Sequence, residues 1–287
     1  MYKTIKAYFN DAQRRGYALG AFNFSTLEIV QAIVRMGVAK KAPFIIETSE
    51  GESKHLGLEM AVAIFKTLKK QTKAKFFLHL DHGKSFEYVK KAIQAGYPSV
   101  HIDTSALPFK DNLKTAKKVV NYAHKRNVWV EAELGHVGGS STLHEKEGYS
   151  KVLKTISFTD PEMAKEFSEK TGLDSLAVTI GNVHGLWKGI PHINFELLKK
   201  IHKMVKKPLV LHGGSGIPKD QIRKALSLGI SKVNINTEMR VAFSSSIRKS
   251  LKDPKMFVPT KYLPKATEAV QKIVESKMIL FKSVNKA

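Results

Sequence analysis

The 287-residue sequence contains no cysteine, and none of its apolar segments approaches the roughly 18 uninterrupted residues of a transmembrane helix. The absence of cysteine excludes disulfide frameworks and thiolate metal sites, so a transition metal would need histidine, aspartate or glutamate ligands. Residues 1–9 have charges spread through them and lack the continuous apolar stretch of a targeting segment. These absences predict a soluble, cytoplasmic protein that does not bind membranes.

Acidic residues are scarce relative to basic ones: 25 Asp and Glu stand against 48 Lys and Arg, which gives a net charge of +23. Such a charge raises the hypothesis of nucleic-acid binding through phosphate contacts. However, many lysines occur as pairs inside helix-like segments, and no nucleic-acid recognition motif accompanies them. Solvated helix faces explain these pairs better, so we predict no nucleic-acid partner, although a basic surface would attract small phosphorylated anions.

Short apolar segments rich in β-branched residues recur eight times, at residues 17–23, 43–48, 75–81, 99–103, 128–134, 175–179, 208–212 and 232–236. Segments with helical periodicity separate most of them, at residues 26–40, 58–70, 86–95, 112–126, 195–205 and 219–227. The repeated βα order has no long linker, so it predicts an α/β fold in which one domain, residues 1–287, forms a closed parallel (β/α)8 TIM barrel. An open doubly wound sheet is the alternative, but no Gly-x-Gly-x-x-Gly motif follows the first strand.

One connection is unusually long. About 40 residues separate the fifth and sixth predicted strands, and the first part, residues 136–157, is rich in Gly, Ser, Lys and Glu. A helix-like segment, residues 161–171, follows it. Because long connections in compact barrels are usually functional or disordered, we predict a mobile lid here. Residues 239–252 and 267–281 are predicted to form the last two helices.

Polar residues stand at the end of every predicted strand, where barrel enzymes carry their chemistry. They are Asn23, Ser49, Asp81 and His82, Asp103, Glu133, His184, His212, and the segment from Asn234 to Thr237. Strand ends are commonly polar because they border loops, so no single position is informative. The set as a whole, with three histidines and three acids, predicts an active site at this end of the barrel.

Three of these histidines, His82, His184 and His212, are each followed by glycine, which lets the backbone approach a ligand closely. Three neutral imidazoles with one open position are a typical ligand set for a catalytic zinc ion. We therefore predict that the three bind a metal. The remaining histidines, such as His101, His124, His192 and His202, lack this context and are predicted to be structural or surface residues.

The segment Gly213-Gly214-Ser215-Gly216 follows His212 directly and precedes a helix that starts near Pro218. Backbone N–H groups and a helix N-terminus favour an anion, and TIM barrels often bind phosphate in the loops after strands seven and eight. Although tight βα turns often contain glycine, the position beside His212 favours a phosphate site.

Eight motifs, in order along nearly the whole chain, resemble the class II, metal-dependent fructose-bisphosphate aldolase family in its shorter form, which includes tagatose-bisphosphate aldolases. They are GAFNF at 20–24, HLDHG at 79–83, VHIDTSALPF at 100–109, VEAELG at 130–135, TDPEMAKEF at 159–167, TGLDSLAVTIGNVHG at 171–185, PLVLHGGSGIP at 208–218 and VNINTEMR at 233–240. The resemblance implies reversible cleavage of fructose 1,6-bisphosphate to dihydroxyacetone phosphate and glyceraldehyde 3-phosphate, a step of glycolysis and gluconeogenesis. Tagatose 1,6-bisphosphate is the alternative substrate.

The same resemblance assigns roles to residues. A Zn²⁺ ion bound by His82, His184 and His212 would polarise the substrate ketone and stabilise the enediolate. Asp81 would remove the proton of the C4 hydroxyl. Asp103 and Glu133 match acidic residues that neighbour the metal and can bind it in an alternative position; Glu131 is assigned to the opposite face of its strand, and Glu133 is preferred.

Substrate contacts are implied for Gly185, Gly213, Gly214, Ser215, Asn234, Ile235, Asn236 and Thr237, with Asn23 nearby and Ser49 toward the second phosphate. The resemblance also implies a monovalent cation, Na⁺ or K⁺, near the first phosphate. It further implies assembly into a homodimer or homotetramer.

Two positions depart from the family pattern. The mobile loop of the family commonly carries an acidic pair, one member of which handles the enediolate proton, whereas this chain has GGSSTLHE at 138–145. His144, Glu145 and Glu147 are the alternatives for that role, and histidine has a suitable unperturbed pKa. Lys261 stands where many relatives carry an arginine, so it keeps the charge without bidentate geometry.

Two further hypotheses assign the protein a different kind of function. A different metal enzyme on the same barrel, such as a hydrolase, would use activated water. A barrel without catalytic activity that binds nucleic acid would explain the high positive charge.

Overall fold

Ten strands are present in the computed structural model, which describes residues 1–287 apart from the side chains of residues 145–147. They are β1 (Leu19–Asn23), β2 (Phe44–Ser49), β3 (Phe76–Gly83), β4 (Ser99–Ile102), β5 (Trp129–Leu134), β6 (Gly139–Gly148), β7 (Ser175–Val178), β8 (His184–Lys188), β9 (Leu209–Leu211) and β10 (Ile230–Ile235). Eight of them close a parallel barrel in the order β1-β10-β9-β7-β5-β4-β3-β2, and β6 and β8 form a separate two-stranded sheet.

Helices cover the outside of the barrel and follow most of its strands. They are α1 (Tyr2–Arg15), α2 (Leu27–Ala39), α3 (Glu50–Leu56), α4 (Leu58–Gln71), α5 (Phe86–Ala95), α6 (Phe109–His124), α7 (Tyr149–Val152), α8 (Pro161–Thr171), α9 (Phe195–Met204), α10 (Lys219–Ser227), α11 (Thr237–Ser250) and α12 (Pro259–Leu280). Among the described residues, no helix combines the length and apolar character needed to cross a bilayer.

The predicted barrel is confirmed, because each of the eight predicted strands overlaps a strand of the closed sheet. The open-sheet alternative is excluded by the pairing of β1 with both β2 and β10. The last helix, predicted from residue 267, begins at Pro259 instead.

The N-terminal helix α1 was not predicted. Its residues Ile5, Phe9 and Ala12 follow the i, i+4, i+7 spacing of an amphipathic helix and are buried. Phe9 stacks on Trp129 with 4.8 Å between ring centroids, in a small core cluster that also contains residues of the barrel strands. Charged residues lie between these positions, so the segment has no continuous apolar stretch that would indicate a buried helix.

The connection after β5 contains more regular structure than predicted. Residues 139–148 form β6, which pairs with β8, and α7 and a 3₁₀ turn (Leu153–Thr155) follow it. At its base, His136 and Ser157 exchange two backbone hydrogen bonds of 2.8 and 3.1 Å. This segment is therefore a strand and two short helices; its mobility stays a prediction.

One layer of the barrel interior is unusually polar. Most TIM barrels are filled by branched apolar side chains instead. Glu47, His79, His101, Glu131 and Lys232 all come from barrel strands, and each is at most 1% exposed. Buried charges are costly unless they are paired. This layer lies next to the strand ends and supports the site above it.

Candidate metal and substrate site

A polar pocket lies at the carboxyl end of the barrel strands. The residues that line it are Asn23, Asp81, His82, Ser141, His184, Gly185, His212, Gly213, Ser215, Asn234, Asn236 and Thr237. All but Ser141 are among the predicted site residues, so most of the set predicted from sequence does converge. The structure brings the lining residues together from β1, β3, β6, β8 and β10, from the loop after β9 and from the start of α11.

His82 is oriented by a carboxylate that contacts one of its ring nitrogens. It lies near the end of β3 with φ of 50°, a left-handed conformation that histidine tolerates better than most residues. Its Nδ1 lies 2.8 Å from Asp103 Oδ2. Burial alone would lower the pKa of His82, but Asp81 and Asp103 outweigh burial and raise the pKa to about 9. The Nε2 atom of His82 is directed into the pocket.

His212 follows β9 directly and is almost completely buried. Its Nε2 donates to Glu131 Oε1 at 2.8 Å, which leaves Nδ1 facing the pocket. The Asn182 amide donates to the His212 backbone carbonyl at 3.1 Å and so fixes the loop after β9. Burial, and then the charge of His82, lower the pKa of His212 to about 4, so its imidazole is neutral at neutral pH.

His184 comes from the opposite side of the pocket, where β8 begins. Its Nε2 lies 3.1 Å from His82 Nε2. Burial, followed by the His82 charge, holds the pKa of His184 well below its usual range. Two nitrogens bound to one ion at 2.0–2.1 Å in tetrahedral geometry would be roughly 3.4 Å apart, so the arrangement fits a shared divalent metal.

The partners of the imidazoles further support a metal site. Metal-binding histidines usually donate their second ring N–H to a carboxylate, which fixes the tautomer and the ring orientation. Asp103 has this relation to His82, and Glu131 has it to His212. The donor set therefore fits a divalent transition ion.

The sequence interpretation of Glu131 was wrong. Residues 131 and 133 are two apart on β5, so both side chains point to the same face, which is the barrel interior. Glu131 accepts hydrogen bonds from His212 and, at 2.9 and 3.0 Å, from Lys232 Nζ. Although burial opposes ionisation, Lys232 holds the pKa of Glu131 well below its usual range.

His101 was predicted to be a structural or surface residue, but it is completely buried beside the site. Its ring centroid lies 4.8 Å from that of His82 and 4.9 Å from that of His212. Together with Asp81, these three histidines offer ligand atoms that all lie within 4.8 Å of one another. His101 lacks the following glycine that identified the other histidines, so its position could not be read from the motif.

Asp81 lies between two asparagine side chains. Asn23 Nδ2 donates to its Oδ2 at 3.0 Å, and Asn234 Nδ2 donates to its Oδ1 at 3.2 Å. Burial would raise the pKa of Asp81, but His82, His101 and His212 hold it well below the usual range. Asp81 is therefore a carboxylate fixed in orientation at the pocket, which can accept a proton from a bound hydroxyl.

Asp103 and Glu133 lie together on the far side of the His82 ring, and the three form a second group of potential metal ligands. Burial, and then repulsion by Asp103, raise the pKa of Glu133 to about 8. Asp103 stays ionised because His82 and Lys84 counter its burial and hold its pKa far below the usual range. Lys84 Nζ donates to Asp103 Oδ2 at 2.6 Å.

An anion could bind at the other end of the pocket. Gly213, Ser215 and Thr237 line it, and Thr237 is the first residue of α11, whose N-cap residue Asn236 forms no side-chain capping bond. The uncapped N–H groups and the helix dipole favour negative charge. Gly213 has φ of 62°, and a Cβ there would lie 2.1 Å from the Val183 carbonyl oxygen. This loop therefore needs glycine at position 213.

Several predicted residues lie outside the pocket lining. The Ser49 hydroxyl caps α3 by accepting from the Glu52 backbone N–H at 3.2 Å. Ile235 belongs to the apolar core. Gly214 donates its N–H to the Asn234 carbonyl at 3.1 Å. Lys261 is exposed in the first turn of α12.

The alternatives for the second acid or base lie on β6. His144 stacks on Trp187 with 3.7 Å between ring centroids and lies outside the pocket lining. Glu145 and Glu147 lie outside the residues whose side chains are described. Arg240, which sequence reasoning missed, joins this strand to the site, since its Nη1 donates to Ser141 O at 3.1 Å and its Nη2 to Glu52 Oε1 at 2.6 Å.

The fold and the site together define a TIM-barrel enzyme with a candidate divalent-metal centre. The family model described as "Fructose-bisphosphate aldolase class-II" matches residues 3–286. The "Probable fructose-bisphosphate aldolase" of Bacillus subtilis (strain 168) is 43% identical over 288 residues, 99% of each chain. The fructose-bisphosphate aldolase of Geobacillus stearothermophilus is 42% identical over 99% of this chain and 98% of its own.

A solved structure gives the same result. The X-ray crystal structure of the YdjI aldolase from Escherichia coli K12 superposes with a TM-score of 0.85, at 33% sequence identity, over 99% of this chain and 98% of that one. The chain belongs to the class II fructose-bisphosphate aldolase family and is an aldehyde-lyase. The family expected from the sequence is thereby confirmed.

Proposed function

We propose that this protein reversibly cleaves fructose 1,6-bisphosphate to dihydroxyacetone phosphate and glyceraldehyde 3-phosphate. The observation that carries the proposal is the position of the Asp81 carboxylate beside convergent histidines in one pocket. The curated relatives reported above are named for the fructose substrate, so tagatose bisphosphate is not favoured.

Asp81 is proposed as the base that takes the proton from the C4 hydroxyl when the C3–C4 bond breaks. Its low pKa keeps it ionised at neutral pH, and the amides of Asn23 and Asn234 hold its two oxygens. The Oδ1 atom of Asn234 is buried and has no hydrogen-bond partner among the described residues. It can therefore accept a hydrogen bond from a substrate hydroxyl and orient the reacting carbon.

His82, His184 and His212 are proposed to hold a Zn²⁺ ion, with Asp103 and Glu133 as neighbouring acids. When bound, the ion supplies a Lewis acid that polarises the substrate carbonyl. The residues of the chain set its position, because Asp103 and Glu131 fix the rings of His82 and His212. The pocket accepts the ketose end of the substrate between these rings and the anion site.

The phosphate next to the carbonyl carbon is proposed to bind at Gly185, Gly213, Ser215, Asn236 and Thr237. The support is that these residues line the pocket beside the uncapped N-terminus of α11, which favours an anion. Gly214 and Ile235 are proposed only as neighbours of this phosphate, since the Gly214 N–H is donated to the Asn234 carbonyl and the Ile235 side chain is in the core. Ser49 is proposed to lie toward the second phosphate of the substrate.

From the family resemblance we also propose a Na⁺ or K⁺ ion near the first phosphate and assembly as a homodimer or homotetramer. From the sequence itself we propose a cytoplasmic location and activity as one domain over residues 1–287. We also propose that the protein acts without nucleic acid or membrane.

The experiment compares cleavage of fructose 1,6-bisphosphate with proton exchange at C3 of dihydroxyacetone phosphate in the zinc-loaded enzyme. Asp81→Asn removes the base for the C4 hydroxyl, so we expect cleavage to fall about 10²- to 10⁴-fold. C3 exchange should persist, since it does not need that base. The same Asp→Asn change at exposed Asp111 serves as the matched control.

A chelator should abolish both reactions, and Zn²⁺ or Co²⁺ should restore them. The proposal is wrong if zinc-loaded protein neither cleaves fructose 1,6-bisphosphate nor exchanges the C3 proton. Equal cleavage of tagatose 1,6-bisphosphate would contradict the substrate assignment alone.

A further inference from the structure

The Glu52 carboxylate lies at the centre of a hydrogen-bond network beside the pocket. It is only 5% exposed, although it lies in the first turn of α3. Its Oε2 accepts from the Ser49 backbone N–H at 2.8 Å and from Asn23 Nδ2 at 3.0 Å. Its Oε1 accepts from Arg240 Nη2 at 2.6 Å and from Asn236 Nδ2 at 3.3 Å. Each oxygen of this carboxylate therefore has two donors.

Helix capping explains only one of these four contacts. Ser49 is the N-cap residue of α3, and in a capping box the acid three residues later accepts the N-cap backbone N–H. The other three donors belong to distant parts of the chain, namely Asn23 at the end of β1, and Asn236 and Arg240 at the start of α11. Since both asparagines line the pocket, Glu52 connects α3 to the site.

Asn23 shares its amide group between two carboxylates. Its Nδ2 donates to Glu52 Oε2 and to Asp81 Oδ2, each at 3.0 Å. An amide nitrogen has two hydrogens and an ionised carboxylate only accepts, so these two contacts use both hydrogens and fix the direction of the amide. Arg240 forms a charge-assisted bond with the other oxygen of Glu52 and so balances this second negative charge near Asp81.

We propose that Glu52 is a positioning residue for the cleavage step, because it orients Asn23 and, through Asn23, the Asp81 carboxylate. The inference rests on the proposed function, in which Asp81 accepts the proton of the C4 hydroxyl. Without the Glu52 carboxylate, the Asn23 amide is free to turn over and present its oxygen to Asp81, which repels the carboxylate. A displacement of about 1 Å at a reacting group can cost about 10²-fold in rate.

The test compares two reactions of zinc-loaded Glu52→Gln. Glutamine has a single acceptor oxygen, which the charged guanidinium of Arg240 should keep, so the glutamine NH₂ group faces the Asn23 amide. We expect kcat for cleavage of fructose 1,6-bisphosphate to fall about 10- to 100-fold. Exchange of the C3 proton of dihydroxyacetone phosphate should stay at the wild-type rate, since it does not need Asp81. Retained exchange also shows that the variant is folded.

Glu59→Gln is the matched control, because Glu59 is an exposed glutamate in the first turn of the next helix, α4. It should retain both reactions. Asn23→Ala, alone and combined with Glu52→Gln, tests the route of the effect. If Glu52 acts through Asn23, the double variant should cleave no more slowly than Asn23→Ala alone. Additive losses would overturn the proposal, as would unchanged cleavage in Glu52→Gln or an equal fall of cleavage and exchange.

A crystal structure of the wild-type protein provides a result that does not depend on a variant folding. An Asn23 side chain within hydrogen-bond distance of both Glu52 and Asp81 supports the proposal, and a Glu52 side chain turned away from Asn23 refutes it. That refutation leaves the aldolase proposal intact. A wild-type enzyme that neither cleaves fructose 1,6-bisphosphate nor exchanges the C3 proton would instead refute the proposed function itself.

Discussion

Lys232 Nζ donates to both carboxylate oxygens of Glu131, at 3.0 and 2.9 Å, in a part of the barrel that excludes solvent. Glu131 in turn accepts from His212 Nε2, so one carboxylate joins a buried ammonium group to a metal-site imidazole. The second acid near Lys232 is Glu47, whose Oε2 lies 3.6 Å away. Glu131 therefore balances the buried charge of Lys232 and orients the His212 ring.

We expect Glu131→Gln to destabilise the protein by about 3–5 kcal/mol, because it leaves Lys232 buried without its closest anion. It should also weaken zinc binding about 10- to 100-fold, because His212 loses a charged acceptor. Urea unfolding of the metal-free protein and chelator competition measure the two effects separately.

The double variant Glu131→Gln with Lys232→Met is the control for this prediction. It removes both charges, so much of the lost free energy of unfolding should return, whereas zinc affinity should stay low. A single variant as stable as the wild type would show that the buried pair contributes little to folding.

The binding of zinc should release a proton. The raised pKa of His82, about 9, means that this imidazole carries a proton in the metal-free protein at pH 7 to 8. Metal needs the neutral form, so zinc must displace about one proton from it. The low pKa values of His184 and His212 mean that these rings release none in this range.

Below pH 9 the proton competes with the metal for His82, so the apparent zinc affinity should rise by up to about tenfold per pH unit from pH 7 to 8.5. Calorimetric titration in buffers of different ionisation enthalpy counts the released protons. Zinc binding that releases no proton at pH 7.5 would contradict the charged state of His82 in the metal-free protein.

The sequence predicted the barrel because each strand is a short apolar segment that ends at a polar residue. It also located His82, His184 and His212, because the glycine that follows each of them is visible in the sequence. The strand β6 was missed because its composition is typical of a loop and its partner β8 is distant in sequence. Pairing of this kind depends on tertiary contacts more than on local preference.

The contacts of His101 and Glu131 could not be predicted from the sequence and are visible only in the folded protein. The alternation of side chains along a strand shows which residues point inward, and applied correctly it places Glu131 in the barrel interior with Glu133. Alternation does not show which residues of different strands lie level with each other along the barrel axis, because that depends on the tilt and stagger of the strands. His101 and His212 are far apart in sequence, yet their ring centroids are 4.9 Å apart in the folded protein.

Gly213→Ala should disrupt the site more than its small size suggests. The residue has φ of 62°, and an added Cβ would lie 2.1 Å from Val183 O and 3.2 Å from His184 N. Because both neighbours are backbone atoms, relief requires the segment that carries His184 to move. We expect a loss of about 2–5 kcal/mol in folding free energy, the sum of left-handed strain and overpacking, together with weaker zinc binding.

Gly16→Ala separates these two contributions, because Gly16 has nearly the same φ, 63°, and no atom within 4 Å of the added Cβ. It should cost only the left-handed backbone strain, about 1–2 kcal/mol, and leave zinc affinity unchanged. Urea unfolding gives the loss of free energy of unfolding in each variant. The difference between the two losses is the cost of the close contact between the loop after β9 and the segment that carries His184. Equal losses of stability, with zinc affinity retained in both, would mean that this close contact is relieved without moving His184.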